Sequence, residues 1–349
     1  MTAKPIELRS DTKTRPTEAM RQAMAVAEVG DDHVGEDPSC NRLCAMVAEL
    51  LGKETALFLP SGTMCNEIAY RIHCRAGDEI ILHESAHPLH FEAGAPAALS
   101  GAMLRTLPGP RGTFGGADVE RAVRDVDIYA PRSRVVSVEQ TANLGGGAVW
   151  TLEALRDVAE AAKRHGLALH MDGARLMNAV VASGVSAADF ARASDSVWID
   201  LTKGLGCPIG AVLAGSAAFI AEARRWRQMF GGAMRQAGIA AAAGIYALEN
   251  HVERLAEDHA NAKRFAELIA PLPGVALDPA SVETNLVFFD LGRDGMDAPA
   301  LAARLQERGV QVGAVDRRRI RAVTHLDVDR AQVEAAARMM GEVLADEPH

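Results

Sequence analysis

"DSVWIDLTKGLGCPIGAV", residues 195–212, sets one lysine inside a run that otherwise reads as buried. Val197, Trp198, Ile199 and Leu201 precede Lys203, and Leu205, Pro208, Ile209 and Val212 follow it among glycines. Removing an ammonium from water is costly, so a lysine at such a place needs a partner or a chemical task. The pattern predicts a strand over 196–201, a glycine-rich turn and a strand over 209–213. Lys203 then stands just past a strand's carboxy end, where open α/β sheets bind their ligands.

The same grammar extends outward. Short apolar runs predict strands over 56–60, 79–82, 134–138 and 167–171, and amphipathic Ala-rich segments predict helices over 39–51, 62–75, 151–165, 216–229 and 235–270. In the 151–165 helix Thr151 can cap the start, Leu152, Leu155, Ala159 and Ala162 share a face, and Gly166 can end it. "PLPG" at 271–274 breaks the long helix and marks a shift in composition. Beyond it come a strand over 285–290, a helix over 297–308, strands near 310–314 and 319–324, and a helix over 329–345. The expected class is α/β: a large, mostly parallel sheet domain over 31–250, a smaller α+β domain over 251–349, and an N-terminal segment over 1–30. That segment could pack on either domain or on a partner chain.

The chain has 349 residues, 48% of them apolar but only 4% aromatic, so its core must be built from Ala, Val, Leu and Ile. A net charge of −9 leaves no basic footprint for nucleic acid. "RRWR" at 224–227 and "DRRRI" at 316–320 read as solvated faces or small-anion contacts. Five cysteines without CxxC spacing read as free thiols in a reducing compartment rather than as a zinc site. The opening "MTAKPIELRSDTK" has no apolar leader, and no apolar stretch is long enough for a bilayer. These features lead us to expect a soluble, cytoplasmic protein.

Several motifs could carry chemistry. "HESAH", residues 83–87, matches the zinc-protease pattern, which works only on a helix. Here a strand runs into it and Pro88 follows, which disfavours a helical His87, so no metal is expected. Asp172, in "LALHMDGARLMNA", ends a predicted strand and is followed by Arg175, while Lys203 ends another strand thirty residues on. A buried Asp–Lys pair would be weak evidence of stability. An enzyme has a sharper use: the lysine can form a Schiff base with a carbonyl, and the aspartate can keep a pyridine nitrogen protonated. "LPSGTMCNE", residues 59–67, brings Gly62 and Thr63 to a helix N-terminus suited to a phosphate. Thr202 can add a hydroxyl, and His87 can lie on the face of a ring. Together these parts describe a site for pyridoxal 5'-phosphate.

The order "LRSDTKTRPTEAMRQAM", "GDDHVGEDPSCNRL", "FLPSGTMCNEIA", "SAHPLHFEAGA", "HMDGARLMNA", "TKGLGCPIGAVLAG", "ARRWRQMFGGAMRQAG", "RAVTHLDV" resembles the L-threonine aldolases over nearly the whole length. These belong to the β-eliminating lyase group of pyridoxal-phosphate enzymes with the aspartate-aminotransferase fold. The resemblance implies cleavage of L-β-hydroxy-α-amino acids to glycine and an aldehyde. It implies that Lys203 carries the cofactor, Asp172 faces the pyridine nitrogen, His87 stacks on the ring, and Gly62, Thr63 and Thr202 hold the phosphate. Ser10, Arg175 and Arg321 would grip the substrate carboxylate. Arg235 would reach the cofactor of a neighbouring subunit in a homotetramer, a dimer of dimers with shared active sites.

The chain departs from that family where the β-hydroxyl is handled. Ala142, in "EQTANLGGG", replaces a histidine, Val34 replaces a tyrosine beside His33, Gln228 replaces a lysine, and Ala233 replaces a glycine. The implied pocket takes bulkier, phenylserine-type substituents, with a water or His90 as the base. The rival readings are a β-eliminating lyase or dehydratase on the same cofactor and, remotely, a zinc hydrolase at "HESAH".

Overall fold

The computed structural model describes residues 4–292 and 295–346. Its strands in chain order are β1 (Ile6–Glu7), β2 (Thr55–Leu59), β3 (Glu79–His83), β4 (Met103–Leu107), β5 (Ser133–Glu139), β6 (Ala168–Gly173), β7 (Ser196–Asp200) and β8 (Ala211–Gly215), then β9 (Val275–Ala276), β10 (Leu286–Leu291), β11 (Val310–Gln311), β12 (Gly313–Ala314) and β13 (Arg319–Val323). Seven of them form one sheet in the order β2-β8-β7-β6-β5-β3-β4. Within it β8 runs antiparallel to both neighbours, and all other pairings are parallel. Strands covered on both faces need apolar residues throughout, and β2, β3, β5, β6 and β7 are accordingly almost fully buried.

The expected mostly parallel sheet is therefore present, with one strand more than the sequence pattern suggests. β4 is the added edge strand. Its residues "MLRTL" are mostly half-buried or exposed, so no apolar run announces it. The expected helix over 235–270 is two helices, Gly238–Asn250 and Leu255–Ile269. The break falls at His251, which leaves the helical path and sets its buried Nδ1 2.7 Å from the Leu205 carbonyl. Other helices match closely: Leu152–Arg164 begins with the Thr151 hydroxyl accepting from the Ala154 amide, and its last turn carries Lys163 and Arg164.

A second, four-stranded sheet, β12-β13-β10-β9, is wholly antiparallel and has its own apolar core with the helices Leu255–Ile269, Ala298–Glu307 and Arg330–Ala345. The N-terminal segment joins both cores. β1 pairs in parallel with β11 and Leu8 enters the second core, whereas Met20, on the helix Glu18–Ala25, packs in the first. Between them the Thr14 hydroxyl donates to the Lys203 carbonyl at 3.0 Å, tying the segment to the lysine turn.

All five cysteines are free and four are buried. Burial pushes the thiols up, Cys44 to about 11 and Cys74 to about 12, so they are inert packing groups. Among the described residues no helix is long and apolar enough to cross a membrane.

Asp37 joins three segments through one carboxylate. It caps the helix Pro38–Leu51 by accepting from the Cys40 amide at 2.9 Å, and its other oxygen accepts from the amides of Gly30 (3.1 Å) and Gly238 (2.9 Å). A Cβ on Gly238 would stand 2.4 Å from that carboxylate, so the close approach requires glycine. Asp37→Ala should lower unfolding stability by about 2–4 kcal/mol, because it leaves buried donors unpaired and removes a cap. Urea unfolding of the two proteins checks this, with a change below 1 kcal/mol (about a surface substitution) counting against it.

Candidate active site

Three strand ends supply the centre of the site. Asp172 lies in β6, Glu139 ends β5, and Asp200 ends β7 three residues before Lys203. Asp172 is buried, accepting from the Ala174 amide at 3.0 Å and from Asn66 Nδ2 at 2.9 Å. Burial pushes its carboxyl up, while the charges of His87 and Lys203 and the Asn66 bond pull the other way. Glu139 is pushed up to about 7 by burial and by the Asp172 charge. Lys203 Nζ meets Asp200 Oδ2 at 2.9 Å and lies 5.9 Å from the centre of the Trp198 ring. The sequence presents Lys203 as a buried cation in search of a partner, and Asp200 is that partner.

Trp198 organises the floor. Its ring lies against Gly62 so closely that a Cβ there would be 2.3 Å away, and its carbonyl would stand 1.9 Å from a Cβ on Gly173. Its indole N–H can only donate, and it donates to Asn66 Oδ1 at 2.6 Å. That bond fixes the Asn66 amide, so Nδ2 must face the acids: Asp172 at 2.9 Å and Glu92 Oε1 at 2.8 Å. His170 adds a second donor to Asn66 Oδ1 from Nε2 at 3.0 Å, and burial lowers its pKa to about 3, so it stays neutral.

His87 bonds Glu92 Oε1 through Nδ1 at 2.8 Å, and its backbone amide donates to Glu139 Oε2 at 3.1 Å. Burial disfavours its charge, but the Glu92 hydrogen bond and the charges of Asp172, Glu92 and Glu139 outweigh that and raise its pKa. Glu67, one residue after Asn66, is buried beside Glu92. Burial and the Glu92 charge push Glu67 up to about 9.

The helix Gly62–His73 begins at this floor. Ser61 caps it by accepting from the Met64 amide, while the Gly62 and Thr63 amides at its first turn have no intrahelical acceptor. A helix start with free amides and a close-approach glycine suits an anionic group. Thr202 currently donates its hydroxyl to Asp200 Oδ1 at 2.7 Å.

Two guanidiniums lie on the opposite side. Arg175 is buried and forks onto Asp11 through Nε at 2.8 Å and Nη2 at 2.9 Å, and Asn285 Nδ2 donates to the same carboxylate at 3.0 Å. Burial opposes the Asp11 charge, but Arg175 and Lys203 hold its carboxyl well below the usual range. Arg321, on β13, has no carboxylate partner among the described residues; it donates to Asn143 Oδ1 at 3.3 Å and to the Arg9 carbonyl at 3.1 Å. Burial and the nearby Arg175 charge lower its pKa. Ser10 is half-buried next to Asp11 and caps the turn Asp11–Lys13.

The fold therefore brings together Lys203, Asp172, His87, Arg175, Arg321, Thr202, Gly62, Thr63 and Ser10. Two expected residues lie apart within this chain. His90 is exposed, with Nε2 2.7 Å from the Glu84 carbonyl, and Arg235 is largely exposed and pairs with Asp31 at 2.8 Å. Ala142 is buried, its methyl only 2.6 Å from a Cβ built on Gly112, so no open space replaces the expected histidine there. Instead a cavity of about 510 Å³, lined by Ser85, Gly112, Leu144, Gly145 and Phe288, lies on the far side of those glycines.

"HESAH" is split between structures. His83 ends β3 and bonds Ser85 and the Gly109 carbonyl, Glu84 is exposed, and His87 opens the four-residue helix His87–His90. The expectation that Pro88 would keep His87 out of a helix is overturned, because Pro88 occupies a first-turn position where an N–H is not needed. Among the described residues no cluster of three or more His, Cys, Asp or Glu could hold a metal.

The residues that sequence reasoning missed are Asp11, Asn66, Glu67, Glu92, Glu139 and Asp200. Asp200 and Glu139 carried a usable signal, since each is an acid at the end of an apolar strand. Asp11 is the structural counter-charge to Arg175, and its contribution depends on pH. An acid whose folded pKa is depressed stabilises the fold above its unfolded pKa, about 4, and loses that contribution as pH falls below it. Asp11→Asn should cost about 3–5 kcal/mol at pH 7 by leaving Arg175 buried without its counter-charge. The difference from the unsubstituted protein should shrink below pH 4 (about the unfolded value), as read from denaturation at several pH values.

Several known proteins are similar to this chain. The family model "Beta-eliminating lyase" matches residues 7–291. The low specificity L-threonine aldolase of Escherichia coli (strain K12) is 44% identical over 333 residues, covering 95% of this chain and 97% of that protein. The low-specificity L-threonine aldolase 1 of Arabidopsis thaliana is 41% identical over 339 residues, covering 95% and 94%. Among solved structures, threonine aldolase of Leishmania major superposes with a TM-score of 0.80 at 22% identity, covering 97% of this chain and 100% of that one. Serine palmitoyltransferase of Sphingomonas wittichii shares the fold with a TM-score of 0.75 at 17% identity, covering 99% and 89%. With its lysine turn, buried aspartate and helix start in one crevice, the chain belongs to the beta-eliminating lyase family.

Proposed function

We propose that this chain is a pyridoxal-phosphate-dependent aldolase that cleaves the Cα–Cβ bond of L-β-hydroxy-α-amino acids to glycine and an aldehyde. The observation that carries the reading is the pairing of Lys203, held by Asp200, with a buried Asp172 whose oxygens accept only from N–H donors. The residues fit the cofactor. Trp198 and Gly62 leave no room for a side chain at the helix start, and the Gly62 and Thr63 amides and the Thr202 hydroxyl suit its phosphate. Lys203 would hold its aldehyde carbon, Asp172 its ring N–H, and His87 its ring face. When bound, the cofactor supplies an electron-accepting ring conjugated to the substrate nitrogen.

The remaining work falls to side chains. Arg321, lacking a carboxylate partner, binds the substrate carboxylate, and Arg175 reinforces the positive potential while Asp11 keeps it rigid. Fixing the carboxylate would restrict rotation about the substrate's Cα–N bond and so select which bond at Cα is broken. Ala142 brings no basic group and His90 lies apart with its Nε2 on the Glu84 carbonyl, so the β-hydroxyl proton passes to water. Val34 stands where the resembling family has a tyrosine, and this smaller side chain favours an aryl β-substituent over a methyl.

We further propose that residues 31–250 form the large domain and 251–349 the small one, and that the enzyme is a cytoplasmic homotetramer. Free thiols support a reducing location. Exposed Val34, Met229 and Ile239 near the exposed Arg235 support a shared subunit contact at the site.

A panel of L-threonine, L-allo-threonine and L-phenylserine, assayed for glycine, tests the activity. Lys203→Ala should lose more than about a thousandfold in kcat, since no other amine can form the covalent link. Phenylserine should exceed threonine in kcat/KM by about tenfold, the scale of a few buried methylene-sized groups in a pocket. A preference for threonine would refute the aryl assignment, and ammonia with a keto acid in place of glycine would identify an eliminating lyase.

A further inference from the structure

Beneath His87 the structure holds two carboxylates that cannot both be charged. Glu92 Oε1 accepts from His87 Nδ1 and Asn66 Nδ2, each at 2.8 Å. Its other oxygen, Oε2, and both oxygens of Glu67 are buried with no N–H or O–H donor among the described residues. Glu67 is 1% exposed and the Glu92 side chain 0%. Three buried acceptors without a donor, side by side, are costly unless one of them carries a proton.

We propose that Glu67 is a positioning residue: its neutral carboxyl donates to Glu92 Oε2 and keeps Glu92 ionised with Oε1 aimed at His87 and Asn66. The proton belongs on Glu67 because the two donors on Oε1 stabilise a charge on Glu92, whereas an ionised Glu67 would have one oxygen facing nothing. Asp172 and Glu139 face the same cluster from β6 and β5, and Tyr70, whose phenol bonds Ser137, closes it on the helix side. With Oε1 of Glu92 aimed at its Nδ1, His87 is favoured in its protonated form. Under the reading of His87 as the group on the cofactor's face, Glu67 thereby sets the charge above the ring without touching it.

The balance has a measurable sign. A carboxyl that stays protonated in the fold but ionises when unfolded destabilises the fold as pH rises above the unfolded value, about 4.5, since the native state then binds the extra proton. Glu67→Gln supplies a permanent N–H donor and removes this dependence.

The test uses the purified protein with its cofactor, and again after the cofactor's removal, so it stands apart from whether glycine is formed. Infrared spectra at pH 7 should show a carboxylic acid carbonyl band that shifts on labelling glutamate with carbon-13 and vanishes in Glu67→Gln. The unfolding constant of the unsubstituted protein should rise relative to Glu67→Gln by about tenfold per pH unit between pH 5 and 8, the slope for one proton. Histidine-selective NMR should give the same His87 titration midpoint in Glu67→Gln, and a midpoint at least one pH unit lower in Glu67→Leu, where no donor reaches Glu92. Absence of the acid band, or a His87 midpoint equally displaced in Glu67→Gln and Glu67→Leu, would overturn the assignment.

Discussion

The bond from the Trp198 indole to Asn66 is the constraint on which the site depends. An indole N–H has one role, and by claiming the Asn66 carbonyl at 2.6 Å it dictates that the amide nitrogen faces two acids. Those acids are Asp172, on the central strand β6, and Glu92, which holds His87. Trp198 itself is locked by the backbone of Gly173 and by the first residue of the helix Gly62–His73. One packed ring thus sets the helix start, the orientation of Asn66 toward Asp172 and the surroundings of Glu92, the partner of His87. Small movements of the ring would disturb all three, and the glycines at 62 and 173 leave it no room to move.

The organisation of the main sheet was legible because buried parallel strands write their whole length in apolar residues. β5, β6 and β7 are such strands, and the chemistry at their carboxy ends could be located from Asp172 and Lys203 alone. Other features left no local mark. Strand direction is absent from an apolar run, so "IGAVL" does not disclose that β8 is antiparallel. β4 lies at the sheet edge with Met103 and Thr106 exposed, and edge strands lack the signal of burial. The helix break at His251 depends on a carbonyl 46 residues earlier.

The candidate site divides along the same line. The residues proposed to meet the cofactor belong to short motifs, and each motif advertises itself. Residues that hold those residues do not, because the partner is far away in sequence. Asp11 and Arg175 are separated by 164 positions, and Asn66 and Trp198 by 132. Ala142 shows the converse problem. Its small side chain suggests an enlarged pocket, but Gly112 and Gly145 close against it and the free volume lies beyond them. Loss of a bulky residue is visible in one chain, whereas the settling of neighbouring backbone into its place is not.

Charge pairing explains why the site is receptive to an amino acid. Lys203 is neutralised by Asp200, and Asp200 is also held by the Thr202 amide and hydroxyl at 2.6 and 2.7 Å, so it keeps its position if the lysine becomes engaged elsewhere. Arg175 has Asp11 in a buried bidentate pair that an incoming anion would gain little by displacing, since separating it would leave two charges unpaired. Of these three cations only Arg321 has no carboxylate partner among the described residues, and it shares a neighbourhood with another guanidinium. One positive charge is therefore unbalanced at the place where a substrate carboxylate would arrive. A single carboxylate restores the balance, while a second would have to compete with Asp11 for Arg175. On this reasoning the site selects α-amino acids with an uncharged side chain, and it does so through a salt bridge that is already made as much as through the one left open.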